Sequence, residues 1–176
     1  MGIWQIGANS EKNGINRSQD VHFPTAGKVL RFFYRPRSQA VALNIQKACF
    51  LAYSKSGYFP EDDKEKRAIR YNQGNNLSLT NFLRSKYGNS PDVDTIKLTT
   101  ANNPVYTDCA TFAQVVAEMA IGKRLGSVSN DTRHFENAFI SNLAFRQEFE
   151  MVAVDEDWKR WFKRTYPTIG INEDWE

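Results

Sequence analysis

Histidine and cysteine are scarce in this chain. Its 176 residues hold two of each: His22 and His134, Cys49 and Cys109. Two cysteines are too few for the disulfide framework of a small secreted domain. The four residues show no metal-ligand spacing, and a zinc site needs four ligands, or three and a water. Neither a metal nor a cofactor is expected. A run of about 18 apolar residues is also missing, so no membrane-spanning helix is expected. Residues Met1–Ile6 carry no basic n-region and no apolar h-region, so no secretory signal is expected. An N-myristoylation motif would need Ser or Thr where Ile6 stands.

Charge of one sign is in short supply too. Lys and Arg number 23 against 20 Asp and Glu, a net charge of +3. Acidic and basic residues are mixed, as in Asp62-Asp63-Lys64-Glu65-Lys66-Arg67, which reads as a solvated face. Lys28, Arg31, Arg35 and Arg37 cluster among Phe32, Phe33 and Tyr34, a pattern able to follow a phosphate backbone and stack bases. The small basic excess argues against a nucleic-acid partner. What remains is ordinary: 41% hydrophobic and 24% charged residues, enough to bury the core of one domain.

Residues 1–27 are rich in Asn, Gly and Ser and read as an extended arm. Lys28–Tyr34 has strand character and is expected to close at Pro36. Together these form an N-terminal arm and short strand, residues 1–38. Val41, Ile45, Ala48, Cys49 and Ala52 recur at three and four, predicting a helix over 39–53 with Cys49 as a small buried hydrophobe and Gly57 as its stop. A polar connection follows over 60–76. Ser78 is a candidate N-cap for a short helix that places Leu79, Phe82 and Leu83 inward and stops at Gly88. Residues 88–104 read as loop.

The clearest helix begins near Cys109. Phe112, Val115, Val116, Met119 and Ala120 form its apolar stripe, and Gly122 lies near its end. A further helix is expected from Thr132, with Phe135, Phe139 and Leu143 on its face. A last one is expected over 155–164, acidic at its start and basic at its end, in accord with the helix dipole. Residues 39–154 are therefore expected to be a helical core. Residues 155–176 are expected to be an aromatic helix and tail.

The stretch Val105-Tyr106-Thr107-Asp108-Cys109-Ala110-Thr111-Phe112 places a cysteine in the first turn of an amphipathic helix. Free backbone N–H groups and the positive end of the dipole stabilise a thiolate there. The thiolate is the competent nucleophile, so the position suits covalent catalysis on an acyl group. The other reading of the same spacing is a small residue packed at a helix start.

Thr107-Asp108-Cys109-Ala110-Thr111-Phe112 resembles the Asp-Cys-Ser-Ser/Gly-Leu/Phe-Val signature of the NlpC/P60 cysteine peptidases, which phage cell-wall hydrolases also carry. Ala110-Thr111 stands where that family prefers Ser-Ser or Ser-Gly. Upstream, Arg70-Tyr71-Asn72-Gln73-Gly74 is similar to the family's Gly-Tyr-Asp-Gln-type motif. The resemblance spans roughly residues 40–155. It implies an α+β fold, here predominantly α: the helical lobe of a papain-like fold with little β structure in this chain. It implies Cys109 as nucleophile, Asp108 as the residue that fixes its turn, and Tyr71 near the oxyanion. It also implies a histidine base on a strand after the Cys109 helix. His134 is the histidine that follows Cys109, in Asp131-Thr132-Arg133-His134-Phe135, and His22 fits only a permuted arrangement. The family's sheet and histidine are then expected elsewhere, on another polypeptide of a split or processed enzyme, unless His134 serves.

Two functions follow as expectations. One is a phage-type peptidoglycan hydrolase, a cysteine endopeptidase or amidase, working at the host cell wall or carried in the virion. It needs a reactive, partly exposed Cys109. The other is a non-catalytic virion or tail component that contacts other virion or hydrolase subunits. It expects a buried Cys109, with aromatic ends such as Trp4 and Trp175 docking on neighbours.

Overall fold

The computed structural model describes residues 5–9, 14–18, 33–56, 65–72, 77–126 and 142–152, with positions 160, 163, 164, 167 and 168. Their order is β1 (Gln5–Asn9), β2 (Gly14–Ser18), β3 (Phe33–Pro36), α1 (Gln39–Ser54), β4 (Ile69–Tyr71), α2 (Ser78–Tyr87), a 3-10 helix (Val93–Leu98), β5 (Val105–Thr107), α3 (Cys109–Ile121), α4 (Leu143–Glu148) and β6 (Phe149–Val152). The architecture is α+β and mostly helical. The strands form three two-stranded sheets: β1–β2 and β3–β6 antiparallel, β4–β5 parallel.

The helix ends follow local chemistry. Ser38 caps α1 by accepting from the Val41 N–H at 3.2 Å. Gly122 ends α3 in the left-handed region at φ +67, where a side chain would be strained, and its N–H bonds to the Glu118 carbonyl. Gly88 stops α2 at φ +62, as its sequence predicts. Leu77, not Ser78, is the N-cap of α2. Ser78 is its first residue, and no side chain caps that end.

The core lies between α1 and α3. Ala48 and Ala52 of α1 are fully buried, and their small side chains let the backbone approach Phe112, Val115, Val116 and Met119 of α3. Leu79 and Leu83 of α2, Val93 and Ile96 of the 3-10 helix, and Ile69 and Val105 of the β4–β5 ladder complete this cluster. Cys49 is packed against it, as the stripe predicts. A second cluster joins Val41, Ala117, Ala120, Leu125, Phe145 and Phe149. Within it Phe145 stacks on Phe149 at 4.3 Å, and Tyr34 meets the Phe145 edge at 4.8 Å.

Several readings change. Residues 88–104 contain the 3-10 helix, capped by Asp92, whose side chain accepts from the Asp94 N–H at 2.9 Å. Val93 and Ile96 are three apart, which matches three residues per turn and buries both. Asp94 holds Lys97 at 2.7 Å and Lys47 of α1 at 2.9 Å, and these bonds keep its carboxyl below the usual carboxylate range. Within the arm, β1 and β2 pair from Gln5↔Ser18 to Asn9↔Gly14. Within the polar connection, Ile69–Tyr71 is a strand. Arg67 is buried, so the charge run from Asp62 is not solvated throughout; Glu65 and Lys66 are exposed. β3 closes at Pro36, as its sequence predicts, with Pro36 opposite Phe149. The pairing continues one residue further, with Arg37 N–H to the Glu148 carbonyl at 2.8 Å. Leu143 opens the separate helix α4 and is 65% exposed, because Asn142 caps a new helix there. Gly57, the segment 127–141, and Trp158, Trp161 and Phe162 of the last expected helix lie outside the described residues.

Among the described residues no helix is long and apolar enough to cross a membrane.

Candidate functional site

The parallel ladder assembles the site. β4 and β5 align Ile69 with Val105, Arg70 with Tyr106 and Tyr71 with Thr107. One further bond, Asn72 N–H to the Thr107 carbonyl at 3.0 Å, extends the pairing to the end of β5. The chain then passes through Asp108 directly into α3, whose first residue is Cys109. Two segments that the resemblance joins, Arg70–Asn72 and Thr107–Cys109, are therefore neighbours. They meet at the carboxyl end of parallel strands and at a helix N-terminus, where α/β architectures commonly bind ligands.

Asp108 is buried and fixes that first turn. Its Oδ1 accepts from the Thr111 N–H at 2.8 Å and from the Thr111 hydroxyl at 2.8 Å. In return the Asp108 N–H donates to Thr111 Oγ1 at 3.1 Å, which closes a capping box. Thr107 Oγ1 lies 2.9 Å from Thr111 Oγ1 and couples the end of β5 to the helix. The Phe112 N–H starts the helical ladder at the Asp108 carbonyl. By helix geometry the amides of Cys109 and Ala110 have no acceptor within the helix. These two donors point out of the helix end beside a cysteine that is exposed. The arrangement can bind negative charge on sulfur or on an adjacent oxyanion.

Of the sequence-predicted site residues, Cys109, Asp108 and Tyr71 come together on this edge. Tyr71 is half-buried on β4, opposite Thr107. His134 and His22 lie outside the described residues. Among the described residues no group of three or more His, Cys, Asp or Glu side chains could hold a metal ion.

A polar column beneath the site escaped sequence reading. Thr107, Thr111, Gln114 and Glu118 are all fully buried. Glu118 accepts from Arg84, from the Tyr87 hydroxyl at 3.0 Å, from the Leu125 N–H at 3.0 Å and from Gln114 Nε2 at 3.4 Å. Burial and the Glu118 charge push the Tyr87 phenol well above its ordinary value. The signal was present: Thr111, Gln114 and Glu118 recur at three and four, a polar stripe beside the apolar one.

The two cysteines have opposite environments. Burial pushes the Cys49 thiol from an ordinary 9.0 up to about 11. Its neutral form is favoured in the fold, so its contribution to stability is full below pH 9 and is lost as pH rises through about 11. At pH 8, iodoacetamide is expected to label Cys109 and spare Cys49. Peptide mass spectrometry reads this directly, and equal labelling would contradict the packing of Cys49.

No protein-family model, no curated protein and no solved structure matches the chain.

Proposed function

We propose that the chain is a cysteine-dependent amide hydrolase of bacterial peptidoglycan, of the phage type, and that its helices are the helical lobe of a papain-like fold. One observation carries this reading: an exposed cysteine is the first residue of α3, directly after a strand that pairs in parallel with the Tyr71 strand. A packed structural cysteine at this place would be buried, as Cys49 nearly is.

In the proposed reaction the Cys109 thiol gives its proton to an imidazole, and the thiolate attacks the carbonyl carbon of a stem-peptide or cross-bridge amide. The oxyanion is met by the amides of the first turn of α3, with the Tyr71 hydroxyl beside them. The tetrahedral species collapses, the imidazolium protonates the departing amine, and a thioester on Cys109 remains. Water, deprotonated by the same imidazole, releases the carboxylic acid and the free thiol. His134 is the residue we assign as this base. The site of action is the virion or the host cell wall, with peptidoglycan and neighbouring virion or hydrolase subunits as partners.

The test is the release of new amino groups from purified peptidoglycan by the Cys49→Ser protein. Release is expected, and Cys109→Ala and His134→Ala are each expected to stop it. No release by the Cys49→Ser protein would sink the hydrolase and leave the non-catalytic virion component. That second reading has one observation of its own: Leu43 and Phe50, seven residues apart on α1, are both exposed.

A further inference from the structure

The net charge of +3 is an average over the whole chain, and a partner meets only the local set of charges. The fold gathers one such set from three segments far apart in sequence. Arg35 and Arg37 are two apart on β3, so both lie on one face of the strand. Tyr34 lies on the other face, where it packs on Phe145. Glu150 of β6 pairs with Arg35 at 2.6 Å and stands 4.0 Å from Arg37. Arg37 Nε also donates to the Arg146 carbonyl at 3.4 Å, which ties α4 to this surface. Lys123, just past the end of α3, reaches Glu148 at 3.9 Å, and Arg124 follows it.

Five cations stand around two carboxylates here. The carboxylates sit low and the cations stand out. The side chains of Arg35, Arg37 and Lys123 are 45%, 52% and 51% exposed, those of Glu150 and Glu148 only 21% and 32%. Arg124 is exposed and Arg146 half-buried, and among the described residues neither forms an ion pair. Four of the five cations are guanidinium groups, whose planar fork matches the oxygens of a phosphate. Tyr34, the aromatic ring beside them on β3, is turned inward and is not offered to a base.

We propose that the basic surface formed by Arg35, Arg37, Lys123, Arg124 and Arg146 docks the phosphate backbone of duplex nucleic acid without reading its sequence. Phosphate contacts fix a protein on a duplex and carry no base information. The sequence shows Arg35 and Arg37 beside aromatic residues, and the fold turns the ring of Tyr34 away and adds Lys123, Arg124 and Arg146 in its place. The surface is independent of the hydrolase reading. It lies past the carboxyl end of α3, whereas Cys109 is the first residue of that helix.

The test is fluorescence anisotropy of a short labelled DNA duplex with the full chain, from about 50 to about 200 mM salt. Binding is expected, with log Kd rising against log salt at a slope of about 4, since each neutralised phosphate contributes about 0.9. Arg124→Gln and Arg146→Gln break no ion pair among the described residues, and each is expected to lower the slope by about one. Lys86→Gln removes a cation that lies over the Phe82 ring on α2, outside this surface, and is expected to leave the slope unchanged. Absence of binding at the lowest salt would overturn the proposal. So would an equal fall in slope for Lys86→Gln, which assigns the attraction to overall charge. Capture by vesicles of anionic lipid without binding to the duplex would also overturn it, and would assign the surface to a membrane.

Discussion

Glu118→Ala is expected to lower unfolding stability by about 3–5 kcal/mol, the cost of leaving one partner of a buried ion pair uncompensated. Glu118 is fully buried, and the Arg84 side chain it holds is only 12% exposed. Removing the carboxylate strips the acceptor from Arg84, the Tyr87 hydroxyl and the Leu125 N–H at once. Each is left in a place where water replaces the lost bond poorly. Since a domain of this size is held by about 5–15 kcal/mol, the variant sits near the edge of folding. Urea unfolding followed by circular dichroism measures the loss. The second half of the test is a double-mutant cycle. Arg84→Met in the Glu118→Ala background should cost much less than in the wild type, because the charge it deletes is then already unpaired. Additive losses would show that Arg84 and Glu118 are not energetically paired.

Asp108→Ala is expected to destabilise the protein by about 1–2 kcal/mol, the usual weight of an N-cap side chain, with the buried setting favouring the upper end. Two bonds from Thr111 end on Asp108 Oδ1. Asp108→Asn keeps an oxygen in the same place and should cost only a few tenths of a kcal/mol. Ala removes the cap, so the turn that presents the amides frays. Urea unfolding of both variants measures the difference, and equal losses would show that the Asp108 oxygen does not cap α3.

Both predictions concern α3, the element most legible in the sequence. Its apolar stripe from Phe112 to Ala120 marks the face and Gly122 lies near the stop, and the structure places the helix at Cys109–Ile121. Helix α1 was equally plain, expected over 39–53 and found over Gln39–Ser54. These elements are readable because caps and periodicity act within one or two turns, and every group involved is close in sequence. The three-residue strands β4 and β5 offer no such period. Each is a strand only because the other lies beside it, 36 residues away in the ladder from Ile69 to Val105. The same holds for Arg67, which looks like one more charge in a mixed run until the fold buries it.

The sequence by itself determined helices α1 and α3, a cysteine at the start of α3 and the short motif that likens this stretch to a peptidase signature. Only the tertiary structure decided that Tyr71 stands across from Thr107, that Cys109 is exposed, and that Glu118 gathers Arg84, Tyr87 and Leu125 into one buried network. The division has one physical cause. Helix caps and stripes are set by neighbours three or four residues apart, whereas strand pairing, burial and ion pairing depend on which distant segments the collapsing core brings into contact.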